Sequence, residues 1–231
     1  SDYLFADWSS ETRDIIWDNS DSENAITLAN GKVIQGIEGL LIQTGSGDDQ
    51  IIANDILQDD IRTGEGDDTV KLGILGGSVS TGSGSDFIDA STGIVTIDAG
   101  SGDDVIKVGT GYMTVDGGSG FDLLQIETQQ SLTNPNSLMW IKFDDVFASA
   151  DYDYLQAQLD SGAEIKLYNH LGSSQHYVAI SNIEQVDYVG GNFDDLFVDH
   201  ASLELRSVLG LDGSDYLFAD WSSETRDIIW D

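Results

Sequence analysis

The chain has 231 residues, 40% of them hydrophobic, enough for one or two packed units. Its 42 acidic and 9 basic residues give a net charge of −33, which excludes nucleic acid phosphates as a partner. There is no cysteine, so disulfides, thiol chemistry and zinc–cysteine sites are excluded, and no run of 18 apolar residues exists to span a membrane.

Residues 1–43 read as the end of one solenoid unit followed by a hairpin lead-in. Two short segments, 25–29 and 32–36, flank Asn30-Gly31, a strong two-residue hairpin signal. The lead-in proper is Gly36-Ile37-Glu38-Gly39-Leu40.

Residues 44–126 carry the dominant pattern. One nine-residue phrase occurs five times, as TGSGDDQII from Thr44, TGEGDDTVK from Thr63, TGSGSDFID from Thr81, AGSGDDVIK from Ala99 and GGSGFDLLQ from Gly117. The starts are 19, 18, 18 and 18 residues apart. A fixed short period means stacked coils, each contacting only its neighbours. Position 8 is always aliphatic, as Ile51, Val70, Ile88, Ile106 and Leu124, among mostly polar or small flanks. That predicts a three-residue strand with one inward side chain.

The glycines before it, Gly45, Gly47, Gly64, Gly66, Gly82, Gly84, Gly100, Gly102, Gly118 and Gly120, suit a tight turn needing positive φ. The intervening nine residues repeat the strand logic at Ile61, Val79, Ile97 and Val115, but carry Gly77, Val95 and Met113 where the acid would stand. An extra residue falls around Asp59–Asp60. The predicted fold is all-β: a flattened right-handed parallel β-solenoid of 18-residue coils, two short strands per turn. One edge carries the acidic turns and the other is nearly acid-free.

Position 6 is aspartate in every copy: Asp49, Asp68, Asp86, Asp104 and Asp122. An aspartate in a Gly-rich turn can simply cap and solubilise it. Five in register at the period of a coil instead predict a column of cation sites. Carboxylates and turn carbonyls, without His or Cys, suit Ca²⁺ or Mg²⁺. A loose cage of carbonyls from two adjacent turns favours Ca²⁺.

Residues 127–189 depart from the coil and are read as a β-rich insertion. They hold the only proline, Pro135, larger apolar residues over 138–147, a candidate short helix over 151–159 ended by Gly162, and a hairpin from 164–168 and 176–180 around a turn at 169–175. Residues 190–231 form a second, shorter run, GGNFDDLFV from Gly190 and GLDGSDYLF from Gly210. Its position-6 residues are Asp195 and Asp215, 20 apart, with Leu203 and Leu205 as a plausible opposite strand. Its lead-in, Asn182-Ile183-Glu184-Gln185-Val186, resembles the first. In both, a glutamate follows an isoleucine 11 residues before the position-6 aspartate.

Residues 1–18 and 214–231 are identical, and the last nonapeptide crosses into the second copy without a break. The expected parent is a longer protein of 213-residue tandem repeats. Asp2 is then the twin of Asp215, but lacks turn glycines of its own and should bind calcium poorly.

These nonapeptides resemble the RTX (repeat-in-toxin, haemolysin-type calcium-binding) family, whose repeat is GGxGxDxUx and whose fold is the parallel β-roll. The resemblance implies Ca²⁺ between successive turns, held by the position-6 aspartates and turn carbonyls. Sites are expected between Asp49 and Asp68, Asp68 and Asp86, Asp86 and Asp104, and Asp104 and Asp122, with one more at Asp195 and Asp215. About five ions, mostly on one edge, would offset about ten charges; rolls of the family usually carry acids on both edges. It further implies type I secretion from a Gram-negative-type cell and folding outside, where calcium reaches the range of extracellular modules.

No GxSxG, HExxH, phosphate-binding or dinucleotide fingerprint occurs, and no enzyme is expected. His170 and His176 flank one turn without a third ligand at zinc spacing. Of the five tryptophans, two copy two others, and core packing is the expected use. The favoured function is a calcium-rigidified structural or adhesive repeat of a large secreted or cell-surface protein. The expected partners are calcium and neighbouring repeats of the same chain, with no membrane insertion and no surface or glycan ligand identified. The alternative is the secretion module of an RTX toxin or hydrolase. A sugar- or ice-binding array is a third option, without a regular flat outward array to support it.

Overall fold

The computed structural model describes residues 2–21, 23, 25–27, 31, 33–53, 57–73, 75–127, 139–142, 165–171, 174–189, 196–200, 204–209 and 216–220. No helix occurs among them, and so none that is long and apolar enough to cross a membrane. The 18-residue period becomes a β-solenoid of about five turns, with two stacks of parallel strands facing each other across one core.

The first stack runs Ile16–Asp18, Gln50–Ile52, Thr69–Lys71, the start of Phe87–Ser101, the start of Val105–Asp116, Leu123–Glu127, Gln185–Val189 and Glu204–Leu209. The second runs Tyr3–Asp7, Gly39–Gln43, Asp59–Glu65, Gly76–Ser83, the far halves of Phe87–Ser101 and Val105–Asp116, and Ser174–Ser181. Two of these strands, of 15 and 12 residues, replace the expected three-residue pieces. They pair with each other from Phe87↔Val105 to Asp98↔Asp116, so ladder bonding carries the chain around the corner between the stacks.

The aliphatics of the pattern point inward, and the longer strands bury others beside them, such as Val108 in Val105–Asp116 and Ile126 in Leu123–Glu127. Ile51, Val70, Ile88, Ile106 and Leu124 stack as one ladder, and Ile61, Val79, Ile97 and Val115 as the other, all essentially without exposure. Trp17 ends the first ladder, fully buried, with Trp8 tilted against it at 6.0 Å between ring centroids. Burying each such side chain contributes roughly 1.5–3 kcal/mol. Ile106 lies between Ile88 and Leu124, and the flat coil leaves little freedom to collapse around a gap. Ile106→Ala should therefore lower unfolding stability by about 2–5 kcal/mol in a denaturant titration.

The extra residue of the first long step falls between Ile52 and Asp59, not at Asp59–Asp60. Asp59 pairs in register with Gly77, and Ile61 with Val79. Asp59 thereby takes position 6 on the opposite edge.

The early hairpin forms antiparallel from Ile26–Thr27 and Val33–Ile34. The pairs Ile26↔Ile34 and Thr27↔Val33 centre its register on position 30 rather than between 30 and 31.

In the insertion, Ile165–Leu171 and Ser174–Ser181 make a longer hairpin with a tighter turn than expected, paired as far as Leu171↔Ser174, and Met139–Lys142 joins it antiparallel. Asn169 pairs His176 and His170 pairs Gln175, so the two histidines do not stand opposite each other. The helix expected over 151–159 lies outside the described residues. Farther on, Leu196–His200 pairs in parallel with Tyr216–Asp220, 20 residues away.

Candidate metal centre

Each nonapeptide turn brings its position-6 aspartate inward beneath the first stack. Asp49, Asp68, Asp86, Asp104 and Asp122 are between 0% and 2% exposed. One carboxylate oxygen of each is spent on stacking. The amides of Asp49, Asp68, Asp86 and Asp104 donate to Oδ1 of the next coil's aspartate, at 2.7, 2.8, 2.8 and 2.9 Å. Ile15 N does the same to Asp49 Oδ1 at 2.7 Å. The other oxygen, Oδ2, is buried without a hydrogen-bond partner in all five.

A buried carboxylate with an unpaired oxygen is costly in ionised form. Burial is the chief cause raising the whole column, taking Asp68 up to about 7 and Asp104 up to about 6; Asp49, Asp86 and Asp122 are raised as well. Neighbouring acids add to it: Asp86 and Asp49 act on Asp68, and Asp86, Asp122 and Asp103 on Asp104. The column therefore favours a proton or a cation, and its oxygens fit a hard divalent ion.

The glycines keep the turns close. Gly64, Gly66, Gly82, Gly84, Gly100, Gly102, Gly118 and Gly120 have positive φ; Gly45 and Gly47, in the first turn, do not. At Gly84, Gly102 and Gly120 the place of a Cβ is taken by the carbonyl oxygen of Gly66, Gly84 and Gly102 respectively. The same carbonyls line the turns that carry the aspartates. No group of three or more His, Cys, Asp or Glu side chains converges among the described residues, so a cation would rely on turn carbonyls beside the carboxylates. Asp195 and Asp215, with Gly190 and Gly210, lie outside the described residues.

A second acidic ladder was not anticipated from the sequence. At position 5, exposed Asp14, Asp48, Asp67 and Asp103 accept from the amides of Asp48, Asp67, Ser85 and Phe121 on the following coil, at 2.8–3.1 Å. These bonds run in the sense opposite to the position-6 ladder, and they cap turns without needing a metal. Buried Thr44, Thr63 and Thr81 add a third ladder, each hydroxyl donating to the next coil's position-1 carbonyl at 2.8–3.2 Å.

On the opposite edge Asp59 is the one acid at position 6 among the described residues. It is 4% exposed; its Oδ1 accepts from Leu40 N at 2.8 Å and its Oδ2 has no partner. Burial pushes it up to about 7. A raised carboxyl stabilises the fold below its unfolded value of 3.8, and that contribution is lost as pH rises through 7. Asp59→Asn keeps an acceptor for Leu40 and removes the charge. The variant should unfold at higher denaturant than wild type at pH 8 and by a smaller margin at pH 5, the difference vanishing only below 3.8, read from midpoints at one saturating calcium concentration.

Compared with family models, curated proteins and solved structures, the chain matches none of them.

Proposed function

We propose that this chain is a calcium-binding structural or adhesive repeat of a large secreted or cell-surface protein, held compact by Ca²⁺ outside the cell. The observation that carries the reading is the column of five buried aspartates, each with an unpaired Oδ2. A solenoid that buries five carboxylates at its edge, in a chain of net charge −33, opposes its own folding unless they are neutralised. Binding energy of the ion then becomes folding energy. A stack of coils that stiffens on binding suits a spacer that extends a larger molecule. The identity of residues 1–18 with 214–231 supports tandem repetition over a single secretion module.

The test is a calcium titration of EDTA-stripped protein followed by far-UV circular dichroism, with Mg²⁺ as control. A cooperative gain of β signal at submillimolar to millimolar Ca²⁺, absent with Mg²⁺, is expected. A metal-free chain that is already fully folded and binds little calcium would overturn the reading.

A further inference from the structure

We propose that Glu184 closes the acid column with one more divalent-cation site, between the Asp122 turn and the turn at residues 181–184. The inference rests on the calcium reading above and extends it to a segment without a nonapeptide.

Strand register places Glu184 opposite Asp122, because Leu123 pairs Gln185 and Leu124 pairs Val186. Glu184 makes the same bond as each position-6 aspartate. Its Oε2 accepts from Asp122 N at 2.8 Å, as Asp122 Oδ1 accepts from Asp104 N at 2.9 Å. The backbone closes in the same way, with Glu184 N and Gln185 N reaching Asp122 O at 3.2 and 3.0 Å.

Two residues before each position-6 aspartate stands a glycine, as Gly120 before Asp122; two residues before Glu184 stands Asn182. Asn182 has φ +51°, the only non-glycine among the described residues in that region. Asparagine is among the non-glycine residues that enter it most readily. Its side chain is held at 2.7 Å by Asp116 Oδ1, which also accepts from Gly118 N at 3.2 Å.

Gly117 shows that oxygens converge here. A Cβ at Gly117 would lie 2.6 Å from Asp122 Oδ2 and would run into the carbonyl oxygen of Asn182. Asp122 is 0% exposed and its Oδ2 has no partner. An unpaired, buried carboxylate oxygen and a backbone carbonyl therefore border one small space that glycine leaves open. The Glu184 carboxylate stands on the same turn. These are hard oxygen donors of the kind Ca²⁺ takes.

The same device recurs where the coil resumes after the first hairpin. Tyr3 pairs Gly39, and Asp2 N donates to Glu38 Oε2 at 2.6 Å. Asp2 is exposed, unlike Asp122, whose buried Oδ2 has no partner. A cation there would pin the chain on its return from the insertion, directly after the hairpin strand Ser174–Ser181.

Bound calcium is counted by equilibrium dialysis and elemental analysis for wild type, E184Q and the control E23Q, exposed and outside every nonapeptide turn. Glutamine keeps an acceptor for Asp122 N but removes the charge. E184Q is expected to bind about one Ca²⁺ fewer than wild type, and E23Q the full number. An unchanged count and affinity in E184Q, with wild type binding calcium, overturns the inference and leaves the parent reading standing. A wild type that binds no calcium overturns the parent reading itself. Amide exchange of wild type along the same titration covers the case in which E184Q does not fold. Calcium-dependent slowing at residues 181–185 is expected. Exchange there that ignores calcium, while residues 63–126 become protected, overturns the proposal.

Discussion

Gly102→Ala is expected to abolish cooperative folding of the solenoid, or to cost roughly 4 kcal/mol or more if a folded state survives. Two independent effects coincide at this residue. Its φ of +132° is a conformation that L side chains rarely adopt. The added methyl would also fall far inside contact distance of the Gly84 carbonyl oxygen, which is backbone and can move only by separating two coils. Separation would break Gly84 N to Ser101 O and Val105 N to Asp86 O, both at 2.9 Å. It would also draw apart the buried aspartates Asp86 and Asp104. Far-UV circular dichroism at saturating calcium reads the outcome. A variant with wild-type signal and midpoint would mean that the turns are looser than this packing requires.

Asp104→Asn should act with opposite sign with and without calcium. In the metal-free chain Asp104 is raised to about 6, first by burial and then by Asp86, Asp122 and Asp103, against the opposing Asp86 amide. Its stabilising contribution is complete below the unfolded value of 3.8 and lost as pH rises through 6. At pH 8 the ionised group therefore opposes folding, and asparagine, which still accepts from Asp86 N, relieves it. Without metal, D104N should therefore show more β signal than wild type at pH 8, a smaller excess at pH 5 and none below 3.8. On the calcium reading the sign reverses with calcium, because the variant would remove a charged ligand that the two proposed sites flanking it would share. The calcium midpoint should rise by about tenfold or more, the equivalent of ~1.4 kcal/mol. Aspartates that only punctuate solvated turns would give a stable variant under both conditions and no shift in midpoint.

The two inward ladders were legible because a period of 18 with one aliphatic in a fixed place leaves few alternatives to stacked coils. Ile51 through Leu124 and Ile61 through Val115 sit where that pattern puts them. The position-6 aspartates were legible as a column for the same reason. Their state was not. That Oδ1 is bound to the neighbouring coil while Oδ2 is buried and unpaired depends on how closely the coils approach, and the Gly-to-carbonyl contacts set that approach.

The sequence by itself determined what repeats: strand and turn identities, the inward ladders and the acidic edge, all of which follow from local periodicity and backbone freedom. Tertiary structure alone decided register across the interruptions. Asp59 reaches position 6 of the far edge only because the extra residue is absorbed before it, between Ile52 and Asp59. Glu184 reaches the Asp122 level only because Ser174–Ser181 pairs with Val105–Asp116, Val115 against Ile180, and returns the chain in step after 62 residues. Such register is chosen by which alignment buries the inward side chains of strands distant in sequence, and counting along the chain cannot supply it where residues are inserted between them.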